Sequence, residues 1–309
     1  MIRHSLIVIE AIICLCLLAS CEKPVIEKTE HPAETSGRPA ETTANFVLSV
    51  KGFHMVDFDG TRSEQRLSDY CSRLNFVVYQ DGKKQKGINQ TSTDSDFGRV
   101  TFALSPGTYQ VLVLAHSAQK NPTLTNPEKI QFTNADGYTD TFYYYGVVDM
   151  SEAAKSEEVV LSRVTSMFRF EMKDAVPAEV EQVRFYYTGG SGALNALTGY
   201  GCVNSQQTVF FDITAEMKNK PQTFEVYTIP KAQTGTLKMT ITAYGKNAMV
   251  IREKVLEDVP VEVNKVTEYS GSFFTDDDNE EPHEQDDNGQ HSYSIQLLTE
   301  WADTLKHTY

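Results

Sequence analysis

Apolar residues recur at every second position along most of this chain, and this period constrains the fold more than any other feature of the sequence. Val100, Phe102 and Leu104 alternate with small or polar residues. Ser105-Pro106-Gly107 then turns the chain into a second alternating run that begins at Tyr109. A period of two is typical of strands with one buried face, and a proline-glycine turn between two such runs indicates a β-hairpin. This segment therefore predicts antiparallel β structure.

The same pattern continues in the second half of the chain. Phe168, Phe170 and Met172 alternate with charged residues, and the run 237–243 alternates apolar residues with lysine and threonine. Turn signals such as Gly189-Gly190 separate the runs, whereas helical spacing never extends beyond two turns in the middle of the chain. We therefore expect an all-β protein built of β-sandwiches.

The length of the chain predicts two domains. Its 309 residues exceed the usual size of a single domain. A polar stretch at 151–156 places a boundary near residue 162. The prediction is an N-terminal β-sandwich domain at 45–162 and a C-terminal one at 163–309.

The N-terminus is typical of an exported lipoprotein. Arg3 and the free amino terminus precede an apolar run at 11–19, which is about half the roughly 20 residues that a membrane-spanning helix needs. The run ends in Leu18-Ala19-Ser20-Cys21, which resembles the lipobox read by bacterial lipoprotein signal peptidase. Residues 1–20 are thus predicted to be a signal peptide, and Cys21 is predicted to carry the lipid that anchors the mature protein to a membrane.

Residues 21–44 have the composition of a flexible tether. They contain three prolines, several threonines and glutamates, and almost no large apolar residue. The net charge of the chain is −14, which disfavours a nucleic-acid partner. Eight acidic residues lie between Asp276 and Asp287, in a loop that lacks the glycine and spacing of a known calcium motif. We interpret that loop as a solvated run of charge rather than an ion site.

The sequence offers no catalytic, metal or cofactor site. It lacks a zinc-protease motif, a nucleophile elbow and a phosphate-binding loop. His54, His116, Cys71 and Cys202 do not have the spacing of metal ligands. The two cysteines fall in different predicted domains, so we expect two unpaired, buried thiols rather than a disulfide. No enzymatic activity is predicted.

Several phrases of the sequence, taken in order, resemble the FimB-like family of fimbrium-anchoring lipoproteins of Bacteroidota. The resemblance extends from about Phe46 to Leu305. It rests, together with the lipobox, on these segments: Phe97-Gly98, Ser105-Pro106-Gly107-Thr108-Tyr109, Ala115-His116-Ser117, Asn126-Pro127-Glu128-Lys129-Ile130, Asp140-Thr141-Phe142-Tyr143-Tyr144, Leu161-Ser162-Arg163, Met167-Phe168-Arg169-Phe170, Tyr187-Thr188-Gly189-Gly190-Ser191 and Thr299-Glu300-Trp301-Ala302-Asp303-Thr304.

The resemblance implies two tandem transthyretin-like β-sandwich domains, export, lipidation on Cys21 and display on the outer membrane as part of a fimbrium. It also implies that the partners are stalk or accessory pilin subunits bound by strand exchange, in which an extended segment of one subunit fills a groove in another. In such fimbriae, stalk subunits lose the lipidated first strand to a trypsin-like protease, whereas an anchor subunit keeps it.

The tether favours the anchor role. Its only arginine, Arg38, precedes Pro39, and a tryptic protease cleaves an Arg-Pro bond poorly. Arg62 lies beyond the first predicted strand, so cleavage there stays open. Two alternatives are a stalk or tip pilin of the same system and a surface glycan-binding lipoprotein of a polysaccharide-uptake system.

Three segments are candidates for assembly or binding. Phe46, Leu48 and Val50 form either a first strand that fills an assembly groove or an ordinary edge strand. The tail 293–304 fits a helix or a strand; we expect a strand that packs on its own subunit. The aromatic clusters Tyr143–Tyr145 and Phe185–Tyr187 could present rings to a sugar, although strand tyrosines more often fill the core.

Overall fold

The structure is a computed structural model that describes residues 42–54, 66–133 and 137–275, with two further strands at 294–298 and 306–307. Its only helical elements in these ranges are α1 (Leu67–Tyr70) and a 3-10 turn at Lys246–Ala248. The signal peptide, Cys21, most of the tether with Arg38-Pro39, Arg62 and the acidic loop lie outside the described residues. The strands are β1 (Ala44–Phe53), β2 (Arg73–Gln80), β3 (Lys83–Thr91), β4 (Arg99–Leu104), β5 (Gly107–His116), β6 (Ile130–Gln131), β7 (Phe142–Met150), β8 (Lys155–Arg163), β9 (Ser166–Met172), β10 (Gln182–Thr188), β11 (Ala193–Asn195), β12 (Tyr200–Gly201), β13 (Gln207–Asp212), β14 (Gln222–Thr228), β15 (Thr234–Tyr244), β16 (Val250–Glu262), β17 (Val266–Gly271), β18 (Ser294–Leu298) and β19 (Lys306–His307).

The strands of the N-terminal half, β1–β8 without β6, form one seven-stranded sheet. Its order is β3-β2-β5-β7-β8-β1-β4. β7 and β8 pair only through Phe142 with Arg163 and Tyr143 with Ser162, so the sheet bends there into two layers. The layers β3-β2-β5-β7 and β8-β1-β4 enclose one apolar core, which includes Phe76, Val113 and Phe46. This is a β-sandwich.

The C-terminal half contains two separate sheets around a second core. Their orders are β14-β9-β17-β18-β19 and β13-β10-β15-β16. Phenylalanines dominate the core between them; Phe168, Phe170 and Phe185 are fully buried and pack with ring centroids about 6 Å apart. The expectation of an all-β sandwich fold is confirmed.

The two halves repeat one topology, because each strand of the first has a counterpart with the same pairing in the second. The first strand of each half is antiparallel to the fourth and parallel to the last. The second strand lies between the third and fifth in both. The equivalent pairs are β1 with β9, β2 with β10, β3 with β13, β4 with β14, β5 with β15, β7 with β16 and β8 with β17. The domain boundary near residue 162 stays a prediction, although β8 ends at Arg163 and β9 begins at Ser166.

A third apolar cluster lies where the two halves meet. It covers the face of the β2-β5-β7 layer that points away from the first core, where Val77, Leu112 and Leu114 are fully buried. The residues that cover this face come from the connection between β5 and β7 and from the C-terminal half, which supplies Leu194, Ala196 and Ile229. A small sheet, β12-β11-β6, pairs strands from both halves there. Residues 44–163 and the C-terminal half are therefore packed together.

Arg163 forms an ion pair at this junction and a hydrogen bond across it. Its guanidinium donates two hydrogen bonds of 2.8 Å to the Asp140 carboxylate and a third, of 2.6 Å, to Oδ1 of Asn264 in the turn before β17. The same group lies 4.6 Å from the centroid of the Phe142 ring. Since the Arg163 side chain is only 3% exposed, its charge depends on these partners.

The Arg163 contacts predict a large effect of substitution. Arg163→Met should lower the free energy of unfolding by about 3 kcal/mol, because a partly buried carboxylate loses its cation. Arg169→Met is the matched control, since Arg169 also bonds a carboxylate across strands but is 26% exposed, with Glu225 41% exposed. That variant should lose about 1 kcal/mol or less. Equal losses in urea denaturation would contradict a special role for Arg163.

A buried polar network lies at the His116 end of β5. The backbone N–H of Ala118 donates to Nδ1 of His116 (3.2 Å), which leaves the ring proton on Nε2 to reach Oδ1 of Asn75 (3.0 Å). Asn75 in turn donates to the side chains of Asn89 and Asn121. Burial, aided by the nearby charge of Arg73, lowers the pKa of His116 to about 4. The ring is therefore neutral in the folded protein at pH 5–7.

His116 predicts a loss of stability in mild acid. In the unfolded chain the ring takes up a proton near pH 6.5, whereas the folded chain does so only near pH 4. Since the unfolded state binds more protons in that window, His116 should contribute a loss of about 2 kcal/mol between pH 7 and pH 5. His116→Gln should flatten the dependence, measured by urea denaturation at each pH. His54→Gln, at an exposed position, controls for the removal of any histidine; an unchanged pH slope in His116→Gln would contradict the prediction.

Candidate strand-exchange site

The first strand lies in the middle of its layer. β1 pairs antiparallel with β4 from Ala44 to Ser49 and parallel with β8 from Phe46 to Phe53. The pairing continues past the strand, since the N–H of His54 donates to the carbonyl oxygen of Leu161 (2.7 Å). The interpretation of β1 as an edge strand is therefore wrong, because a sheet edge would leave one row of its N–H and C=O groups unpaired.

The inward side chains of β1 carry its contribution to the core. Phe46 and Leu48 are fully buried and Val50 is 8% exposed, whereas Asn45 and Ser49 point to the opposite face. At the end of the strand the Phe53 ring lies 4.5 Å from that of Phe142. The alternation seen in the sequence thus matches the pleat, with the apolar set facing the core.

The neighbours of β1 define what would remain if it were removed. β4 and β8 would each expose a row of unpaired N–H and C=O groups on the two sides of a slot one strand wide. The floor of the slot would be the apolar core, and Val100 and Phe102, the partners of Leu48 and Phe46 on β4, would line one wall. Such a slot accepts any extended segment with apolar residues at alternate positions.

The outer edges near this layer are protected. β3 carries Lys83, Lys84 and Lys86 at its start, and charged lysines disfavour edge-to-edge pairing. Lys86 Nζ contacts the carbonyl oxygen of Ala103 on β4. The Gln90 amide donates to two carbonyl oxygens just before and at the start of β4, at 3.0 and 2.9 Å. Lysines and side-chain hydrogen bonds thus protect the edge strands β3 and β4 of this sandwich.

The C-terminal tail also pairs within its own chain. β18 adds antiparallel to β17, with residues 294–298 opposite 270–266, and β19 pairs with β18. The prediction of a strand rather than a helix at 294–298 is confirmed. Tyr293 and residues 299–305 lie outside the described residues.

The aromatic residues considered as sugar platforms lie in or against the apolar clusters, apart from Tyr186. Tyr143 and Tyr145 pack against the third cluster, and Tyr144 packs against the first core. Phe185 and Tyr187 are fully buried, and the Tyr187 hydroxyl donates to the carbonyl oxygen of Tyr227 (2.8 Å). Neither cluster presents a free ring face, apart from Tyr186 between the two buried residues.

The two remaining cysteines differ from expectation in one respect. Both are free thiols; Cys71 is buried in the first core, but Cys202 is exposed, so the expectation of burial is wrong for Cys202. Burial raises the pKa of Cys71 to about 12, which keeps the thiol protonated and unreactive. Within the ranges that the structure covers, no group of three or more His, Cys, Asp or Glu side chains is placed to hold a metal ion. The same ranges contain no helix with the length and apolar character needed to cross a bilayer.

The packing of β1 predicts that substitutions on its inward and outward faces differ in their cost to stability. Phe46→Ala should lower the free energy of unfolding by about 4 kcal/mol, because it leaves a cavity in the first core. Val47→Ala, one position along and on the opposite face, should cost about 1 kcal/mol or less. Denaturation of both variants tests the alternation, and similar losses would contradict the described register.

Comparison with known proteins gives a family and a shared fold. Residues 35–296 match the model of a family of unknown function, DUF6562. No curated protein matches the chain. A solved structure from Bacteroides thetaiotaomicron, named "putative polysaccharide binding proteins (DUF1812)", is 10% identical and matches 86% of this chain and 98% of its own with a TM-score of 0.52.

Two further solved structures match with lower scores. The fimbrial anchor protein Mfa2 from Porphyromonas gingivalis is 11% identical, over 82% of this chain and 97% of that one, with a TM-score of 0.43. A fimbrial assembly protein from Parabacteroides distasonis is 11% identical, over 86% and 98%, with a TM-score of 0.41. Because the family match spans most of the chain, this protein belongs to the DUF6562 family.

Proposed function

We propose that the protein is a structural lipoprotein of a surface fimbrium, and that it is the anchor subunit, which attaches the fibre to the outer membrane and limits its length. The observation that carries the proposal is the position of β1. The first strand after the predicted tether fills the slot between β4 and β8 in its own sandwich. A subunit with a filled slot has no acceptor site of this kind, so it can end a fibre but cannot extend it through that site.

The sequence of the tether favours retention of β1 in its slot. Lipid on Cys21 and strand β1 belong to one continuous N-terminal segment, so cleavage after β1 would remove the lipid and free the slot together. The Arg38-Pro39 bond is a poor tryptic substrate. These features support retention of the lipid and of the first strand.

The resemblance to fimbrium-anchoring lipoproteins supplies the partners. They are stalk or accessory pilin subunits, which would receive an extended segment from this protein or donate one to it. The surface glycan-binding alternative rested on Tyr143–Tyr145 and Phe185–Tyr187, which lie in or against the apolar clusters apart from the outward-facing Tyr186. That alternative therefore has no support from those clusters.

Deletion of the gene tests the anchor role directly. In the native bacterium, its loss should release fimbriae into the medium or change their length, as seen by electron microscopy and by immunoblots of cell and medium fractions. Complementation with the wild-type gene should restore cell-bound fibres of normal length. Unchanged, cell-bound fimbriae in the deletion strain would contradict the anchor assignment.

The state of the N-terminus separates an anchor from a stalk pilin. Mass spectrometry of the protein isolated with assembled fibres should find lipid on Cys21, and Cys21→Ala should release the protein and its fibres from the membrane. Cys202→Ala is the matched control, since that exposed thiol has no predicted role in anchoring. A mature terminus just after Arg62 would instead indicate a stalk subunit.

A further inference from the structure

Among the described residues, no apolar cluster covers the sheet β13-β10-β15-β16 on the side away from the second core, so that face is open. Its equivalent in the N-terminal half, the β3-β2-β5-β7 layer, has the corresponding face covered by the third cluster. The open face, called here the outer face, consists of the outward side chains of three neighbouring strands: Gln182, Arg184, Tyr186, Thr208, Phe210, Asp212, Thr240, Thr242 and Tyr244.

The two equivalent faces differ in chemistry. In the N-terminal half the central positions are apolar and fully buried, as at Val77 and Leu112. In the outer face the central positions are Arg184 and Thr242, which can form hydrogen bonds, and the exposed apolar groups include Phe210 and, on the edge strand β16, Val255. The Phe210 side chain is 53% exposed although it lies on a strand of a folded sheet. A second protein layer of the kind that covers the N-terminal face would leave these polar groups without partners.

A groove of about 580 Å³ runs along one end of the outer face. Phe210 and Tyr244 form apolar parts of its lining, and Glu181, Gln182, Asp212 and Asn247 supply polar groups. The volume is in the range of small-ligand sites, which combine apolar walls with a few placed polar groups. The loop that lines one side of the groove contains two successive non-glycine residues with positive φ, Asn247 (55°) and Ala248 (57°). This conformation costs energy and is common beside binding sites.

The polar groups beside the rings are held in fixed positions. Gln182 Nε2 donates to Asp212 Oδ1 (2.9 Å), and Arg184 Nη2 donates to Thr242 Oγ1 (3.0 Å). The Thr242 hydroxyl in turn donates a hydrogen bond to Oε2 of Glu253 (2.9 Å). The Arg184 guanidinium lies 5.4 Å from the centroid of the Tyr244 ring and helps to hold that ring in place. A ligand would therefore meet ordered rings and ordered hydrogen-bonding groups.

We propose that the outer face binds a neutral carbohydrate chain. Sugar rings have apolar C–H faces that stack on aromatic side chains, and hydroxyl rims that exchange hydrogen bonds with amides and carboxylates. Phe210 and Tyr244 supply the rings for stacking, and Gln182 and Asp212 supply the hydrogen-bonding groups. Glu181 and Asp212 pair with no cation among the described residues, so the groove repels anionic polymers. This function is separate from fibre anchoring and would add adhesion at the base of the fibre.

The test is affinity electrophoresis of the detergent-solubilised mature protein. Native gels would contain starch, galactomannan, xylan or yeast mannan as neutral probes, and polygalacturonate as an anionic probe. At least one neutral polysaccharide should retard the wild-type protein, and polygalacturonate should not. Phe210→Ala should weaken the retarding affinity roughly two- to tenfold, and the double variant with Tyr244→Ala should abolish it.

Val147→Ala is the matched control, since Val147 is 62% exposed but lies in the N-terminal half, and it should leave retardation unchanged. Because Phe210 is half exposed, its variant should keep the wild-type unfolding midpoint, which separates lost binding from lost folding. The proposal is overturned if no neutral polysaccharide retards the protein, if Phe210→Ala binds as wild type, or if polygalacturonate is bound equally well. These outcomes are independent of whether fimbriae stay attached to cells.

Discussion

The N-terminal sandwich depends on the pairing of a single strand on both of its sides. The layer β8-β1-β4 has only three strands, and its middle one is the first to follow the N-terminal segment. Every N–H and C=O group along β4 and β8 that faces β1 needs a partner, because unpaired backbone groups beside a core are costly. Phe46 and Leu48 also fill the centre of that core. The sandwich is therefore complete only while its N-terminal strand, or a substitute for it, is in place.

The internal repeat shows how one topology acquires different surfaces. Both halves use seven equivalent strands joined by the same five pairings, but the additions to each half differ. In the first half, one face of β3-β2-β5-β7 is covered by Ile130 and by Leu194 from the other half, and Arg163 bonds Asn264 across the junction. In the second half, β18 extends the opposite sheet and the equivalent face stays open. The covered face in the first half thus joins the two halves, whereas the equivalent face in the second half carries exposed rings.

Much of this architecture could be predicted from the sequence, because alternation reports directly on strands with one buried face. The strands through Phe46, Leu48 and Val50 and on both sides of Ser105–Gly107 follow from that period alone. The prediction of a hairpin at that turn is wrong, because β4 pairs with β1 in one layer and β5 pairs with β2 and β7 in the other. What alternation cannot report is whether the second face of a strand is also covered. Tyr143 and Tyr145 lie on such a face and are partly buried against residues from another part of the chain, in line with the expectation that strand tyrosines more often fill the core than bind a sugar. The sequence could not show that Arg163 joins the two halves, because its partner Asn264 is 101 positions away.

The direction of β1 matters for the proposed anchor. A load directed along the axis of β1 would act across the hydrogen bonds to β4 and at a slant to those to β8. Such a load shears both rows of bonds together rather than opening them one after another. The apolar side chains of Phe46, Leu48 and Val50 would have to leave the core in the same event. A strand that is central rather than at an edge is therefore suited to transmit force from the proposed lipid anchor into the folded protein.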